Sequence, residues 1–112
     1  MTTWKNVERQ IAKLLGGERI PVSGRQRGYA ADISHNVFSI EVKHRQELPG
    51  WILDGLSQAQ SSSRESKIPL LLLHRKGMRY DESLAVLQLQ DLIKMQKRIE
   101  ELEAINENCK NT

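Results

Sequence analysis

The chain has 112 residues, of which 38% are hydrophobic and 28% charged, and its formal net charge is +3. This is the composition of one globular domain with a single modest core, too short for two. The longest apolar run, Ile68 to Leu73, is six residues with Pro69 inside it, which excludes a membrane span of about 20 apolar residues. The N-terminus carries Lys5, Glu8 and Arg9 and shows no signal-peptide core. A single cysteine, Cys109, cannot close an internal disulfide or build a thiolate zinc site. A cytoplasmic protein is expected. Residues 1–80 hold 13 Lys/Arg against 7 Asp/Glu, a balance of +6, and residues 81–112 hold 4 against 7, a balance of −3. A basic body of this kind suits a polyanion, because phosphate neutralisation releases condensed counterions.

Trp4, Val7, Ile11, Leu14 and Leu15 recur at helical spacing with Lys5, Arg9 and Lys13 opposite. They predict an amphipathic first helix, capped by Thr2 or Thr3 and stopped at Gly16-Gly17. Glu18 to Val22 reads as a short strand interrupted by Pro21, and Ser23 to Gly28 as a polar loop. Ala31-Asp32-Ile33 begins a strand, His35-Asn36 turns, and Val37 to Lys43 returns as the second arm of a hairpin. Pro49-Gly50 breaks the chain before a helix over about 51–62 that buries Trp51, Ile52, Leu56 and Ala59. The run 68–73 reads as a strand covered on both faces. Strand 37–43, this helix and strand 68–73 would then form a right-handed β-α-β unit with parallel strands. A turn over 77–82, a last strand over 84–89 and a long helix capped by Asp91 complete the chain. The expected fold is α/β, a mixed central sheet of about five strands with flanking helices. Residues 1–90 form its core, and 91–112 a C-terminal helix with a polar tail.

In strand 37–43, alternation places Phe38, Ile40 and Val42 on one face and Ser39, Glu41 and Lys43 on the other. The hairpin can bring Asp32 beside Glu41. Two converging carboxylates repel unless a cation joins them, and Mg²⁺, hard and water-retaining, suits such a pair. The competing reading makes Glu41 and Lys43 ordinary solvated residues of an exposed strand face. Glu8 falls within the apolar arc of the first helix, where an acid needs a partner. It is either a boundary residue reaching water or an outer ligand of a metal or its water.

The order of Glu8 on a first helix, Ser23-Gly24 in a loop, Asp32, then Glu41-Val42-Lys43 resembles the PD-(D/E)XK nuclease superfamily. It is most similar to the branch of archaeal Holliday junction resolvases and small phage-type endonucleases. The resemblance covers roughly residues 4–90, with Ala31 in place of the proline that names the motif. It implies a restriction-endonuclease-like core and a Mg²⁺-dependent DNA endonuclease, with Mn²⁺ as a substitute ion. Asp32, Glu41 and the backbone carbonyl of Val42 would bind the metal. Lys43 would orient the attacking water and offset charge on the scissile phosphate, and Gln58 on the crossover helix would lie near it. Ser23, Arg25 and Arg27 are candidate phosphate contacts in the loop before the hairpin, and Arg45 extends the basic surface. The alternative function is a non-catalytic DNA-binding or assembly module, and cleavage of RNA stays open.

Leu92, Met95, Ile99 and Leu102 follow a 3-4-3 spacing on the last helix, with Asn106 next. This is a short coiled-coil seam among charged residues. It predicts a homodimer through the C-terminal helix, against the alternative that the seam packs on its own domain. Two-fold symmetry would supply a second active site for cutting two strands. Gly16-Gly17 is not a phosphate loop, because no Gly-Lys-Ser/Thr follows.

Overall fold

The first helix forms where its local signals place it. In a computed structural model that describes residues 3–21, 31–64 and 66–110, α1 spans Trp4–Leu15 and Thr3 is its N-cap, the hydroxyl accepting from the Asn6 amide at 3.2 Å. At its far end Gly16 takes a left-handed conformation with φ of 75°. The Gly16 and Gly17 amides then donate back to the Lys13 and Ala12 carbonyls at 3.4 and 2.9 Å, the paired bonds that close a helix C-terminus. The face that α1 buries is Glu8, Ala12 and Leu15, whereas Leu14 is exposed.

The structure divides into two compact units, Met1–Gln46 and Glu47–Thr112. In the first, α1 packs on an antiparallel pair made of β1, Glu18–Arg19, and β2, Ile33–Ser34. Arg19 stands opposite Ile33 in this register. The Ile20 amide donates to the Asp32 carbonyl at 2.9 Å, and Ile33 forms a further antiparallel bridge with Ile40. Ala12, Leu15 and Ile33 are the buried apolar side chains among the described residues. Gly17 lies so close to β2 that a Cβ there would sit 2.5 Å from the Ser34 carbonyl oxygen and 2.9 Å from Ile33 Cγ2.

In the second unit, α2 spans Gly50–Ser62 and packs on β3, Leu71–Leu73. Gly55 faces the Leu71 side chain at the crossing. β3 pairs antiparallel with β4, Leu84–Val86, in the register Leu71↔Val86, Leu72↔Ala85 and Leu73↔Leu84. Gly77, at φ of 87°, and a short 3-10 turn over Tyr80–Glu82 lie in the connection. The last helix, α3, spans Leu89–Lys110, and Asp91 sits buried in its first turn, where a carboxylate favours the N-terminal dipole. No helix among the described residues is long and apolar enough to cross a membrane.

The central sheet expected from the sequence is replaced by two separate two-stranded antiparallel sheets. Of the predicted strand 37–43, only Ile40 makes a bridge. The apolar run that suggested a strand covered on both faces instead has Ile68, Leu70 and Leu72 exposed, and only its last three residues join a ladder. β3 pairs instead with β4 across a connection of 10 residues, the antiparallel neighbour that a short link reaches directly, and among the described residues no ladder joins 37–43 to 68–73. The α/β mixture of three α-helices with short strands stays, but the five-stranded mixed core and its parallel β-α-β unit are absent among the described residues. Trp51, expected on the buried side of α2, is exposed.

Candidate functional site

Asp32 reaches its place through the backbone of the first unit. Its carbonyl accepts from Ile20, and its own amide donates to the Ile40 carbonyl at 2.8 Å. One step along the Ile33↔Ile40 register sets Asp32 level with Glu41. The Asp32 side chain is carried to residues 41–43, where Oδ2 accepts from the Val42 amide at 2.6 Å. With 6% of its surface exposed, Asp32 is a buried carboxylate held by charge-assisted bonding.

Glu41 and Lys43 flank the gripped amide. Their side chains share a face, as alternation requires, and meet at 3.3 Å with 58% and 67% of their surfaces exposed. The structure thus places Asp32, Glu41 and Lys43 at one short stretch of backbone, one carboxylate buried and the other accessible beside an accessible ammonium. Phe38 is exposed while Ile40 and Val42 are half-buried, so the inward face of this arm is real but shallow.

The turn before it is fastened by His35. Its Nδ1 accepts from the amides of Val37 and Phe38 at 3.0 and 3.2 Å. That leaves Nε2 to carry the proton and donate to the Leu15 carbonyl, 3.1 Å away. His35 also stacks on Phe38, with ring centroids 5.2 Å apart. The sequence marked His35 only as a turn residue, but one ring ties the end of α1 to the arm that carries Glu41.

Glu8 is 5% exposed, and its Oε2 accepts from Arg19 Nε at 2.7 Å. The partner demanded by an acid on the apolar arc of α1 is therefore a cation from β1. Arg19 also lies over the Trp4 ring, 5.3 Å from its centroid, while its Nη2 is buried with no hydrogen-bond partner among the described residues. Sequence reasoning missed Arg19. The usable signal was the acid at Glu8 itself, which needed a neighbouring cation on the strand packed beneath.

Were a cation held by Asp32, Glu41 and the adjacent Val42 carbonyl, its protein donors would be oxygens alone. Among the described residues no group of three or more His, Cys, Asp or Glu side chains is placed to hold a metal ion. Two carboxylates suffice for Mg²⁺, which completes its octahedron with water and substrate phosphate, so the donor chemistry here fits that ion and not a thiophilic one.

Gln58 is an exposed residue of α2 whose carbonyl accepts from the Ser62 hydroxyl at 3.2 Å. Arg45 is exposed, with Nη1 donating to the His44 carbonyl at 3.0 Å. Ser23, Arg25 and Arg27 lie outside the described residues. No family model matches the sequence, and no curated protein or solved structure matches it.

Proposed function

We propose that this chain is a divalent-metal-dependent endonuclease that hydrolyses DNA phosphodiester bonds. One observation carries the reading: a buried Asp32 carboxylate is fixed to the backbone between Glu41 and Lys43. The reading rests on this local geometry and on the order of the motif residues, not on a central sheet. The basic balance of residues 1–80 favours a phosphate-bearing substrate.

Asp32 and Glu41 would hold Mg²⁺ or Mn²⁺ together with the Val42 carbonyl. Such an ion supplies Lewis-acid polarisation of the phosphoryl group and a more acidic bound water. The chain's own residues do the rest. Asp32, pinned by the Val42 amide, presents a carboxylate that needs no reorganisation when substrate arrives. Lys43 leaves the Glu41 carboxylate for the scissile phosphate, where its ammonium offsets accumulating negative charge and orients the attacking water. Glu41, released from Lys43, becomes available as an oxygen donor. An exposed pair of this kind is weak, about 0–1 kcal/mol, so substrate phosphate can displace it.

The test is nicking of supercoiled plasmid across a Mg²⁺ and Mn²⁺ titration, with Lys43→Ala alongside the wild type. Cleavage that requires metal and disappears in Lys43→Ala is expected. Failure to cleave plasmid and branched DNA at every metal concentration would refute it. A second reading, a non-catalytic DNA-binding or assembly module, is favoured by the Glu41–Lys43 pair, which satisfies both charges without substrate. Salt-dependent DNA binding without cleavage would establish that reading instead.

A further inference from the structure

Helix α3 carries an apolar stripe that the described residues of its own unit leave largely exposed. Met95, Ile99, Leu102 and Ile105 are all exposed, and so is every residue from 97 to 110. Near the start of the stripe, Ile68 lines a hollow with Met95 and Ile99. Beyond Ile99 the stripe runs on in the open. A 3-4-3 spacing from the half-buried Leu92 to Leu102 keeps Met95, Ile99 and Leu102 on one seam, with Ile105 beside it, the pattern that packs against another helix.

The charges on α3 say which helix. Residues 89–98 hold Lys94, Lys97 and Arg98 against Asp91, a balance of +2. Residues 99–110 hold Glu100, Glu101, Glu103 and Glu107 against Lys110, a balance of −3. The helix is therefore its own electrostatic complement when a second copy is reversed, and its own antagonist when the copy is parallel. The helix dipole adds in the same direction, since reversal sets each N-terminus beside a C-terminus. A closed two-fold arrangement is what a self-complementary patch produces.

We infer that α3 pairs with α3 of a second copy as an antiparallel two-helix seam. With Ile99 of one copy opposite Leu102 of the other, Met95 stands opposite Asn106, and the two-fold axis passes between residues 100 and 101. The stretch with Lys94, Lys97 and Arg98 then runs beside residues 103–107 of the second copy, which carry Glu103 and Glu107, and the like-charged Glu100 and Glu101 of the two copies meet at the axis. This pairing is independent of the nuclease reading.

The chain's one cysteine, Cys109, is exposed near the end of α3 and gives a native probe of orientation. A nitroxide on Cys109 lies 8.5 residues from the axis, so the two labels of an antiparallel dimer stand about 25 Å apart along it, from a rise of about 1.5 Å per residue. In a parallel pair they lie within roughly 10 Å, the spacing of two packed helices. The expected results on the full chain are a mass about twice 12.9 kDa by light scattering, a label separation near 25 Å by pulsed electron spin resonance, and a halved mass for the double variant Ile99→Glu, Leu102→Glu with helical circular dichroism retained. A monomeric wild type, a dimer indifferent to the double change, or labels within about 10 Å of each other would overturn the inference.

Discussion

Replacing Asp32 in two ways separates what its carboxylate does for the fold from what it does for the reaction. Asp32→Asn keeps an oxygen that can accept from the Val42 amide at the 2.6 Å position but removes the charge. A hydrogen bond to a charged group contributes about 1.5–3 kcal/mol and a neutral one about 0.5–1.5, so the asparagine variant should lose about 1 kcal/mol of stability. Asp32→Ala removes the acceptor and leaves the partly buried Val42 amide unpaired, which costs about 1–3 kcal/mol for the orphaned donor. Urea unfolding followed by circular dichroism should therefore order the three proteins as wild type, asparagine, alanine. Cleavage should order them differently. Both variants lose the anionic ligand, so both should be inactive in the plasmid assay although asparagine preserves the local geometry. Wild-type cleavage by Asp32→Asn would remove Asp32 from the reaction. An alanine variant as stable as the asparagine variant would mean that the Val42 bond does not hold this arm.

Glu41→Ala and Lys43→Ala should show the reverse bias: cleavage lost, with unfolding midpoints within about 0.5 kcal/mol of wild type, because the pair they break is mostly solvated. Glu8→Ala, which strands the Arg19 guanidinium in a buried place, should destabilise by about 3–5 kcal/mol, and Glu8→Gln by less, as read from thermal unfolding. The neighbouring glycines at the end of α1 should respond unequally to alanine. Gly16→Ala meets open space and carries only the left-handed backbone strain of about 1–2 kcal/mol. Gly17→Ala drives a Cβ into the Ser34 carbonyl and should cost about 3 kcal/mol or more, the upper end of overpacking, because the neighbour is backbone.

What the sequence made legible follows the range of the interactions. The Thr3 cap and the Gly16 stop of α1, and the span of α2, are written within a few residues, and the structure places them there. The shared face of Glu41 and Lys43 follows from alternation, and the nearness of Asp32 from a short antiparallel turn. The partner of Glu8 was hidden because Arg19 lies 11 residues away across the turn after α1, and no periodicity connects the two. The central sheet failed for a similar reason. A run such as Ile68 to Leu73 shows that a segment is apolar but not how many of its faces are covered, and exposed Leu70 and Leu72 show that coverage here is partial. The start of α3 shifted too. Gln88 accepts the first helical amides, and Asp91 sits inside the first turn instead of ahead of it.

Among the described residues the buried apolar side chains, Ala12, Leu15 and Ile33, all belong to the first unit, and from 47 to 110 only Asp91 is buried. Local opening free energies should follow that distribution, because amides protected by dense apolar contact exchange only through larger unfolding events. Hydrogen exchange should therefore be slowest in α1 and at the Ile33 amide, and fast along the β3–β4 hairpin. Asp32 is bonded into the slowly opening part at Ile20 and Ile40. The carboxylate proposed to meet the metal thus sits beside the buried apolar side chains of the described residues, while Glu41 and Lys43, a few bonds away and in solvent, keep the freedom to exchange one another for a substrate.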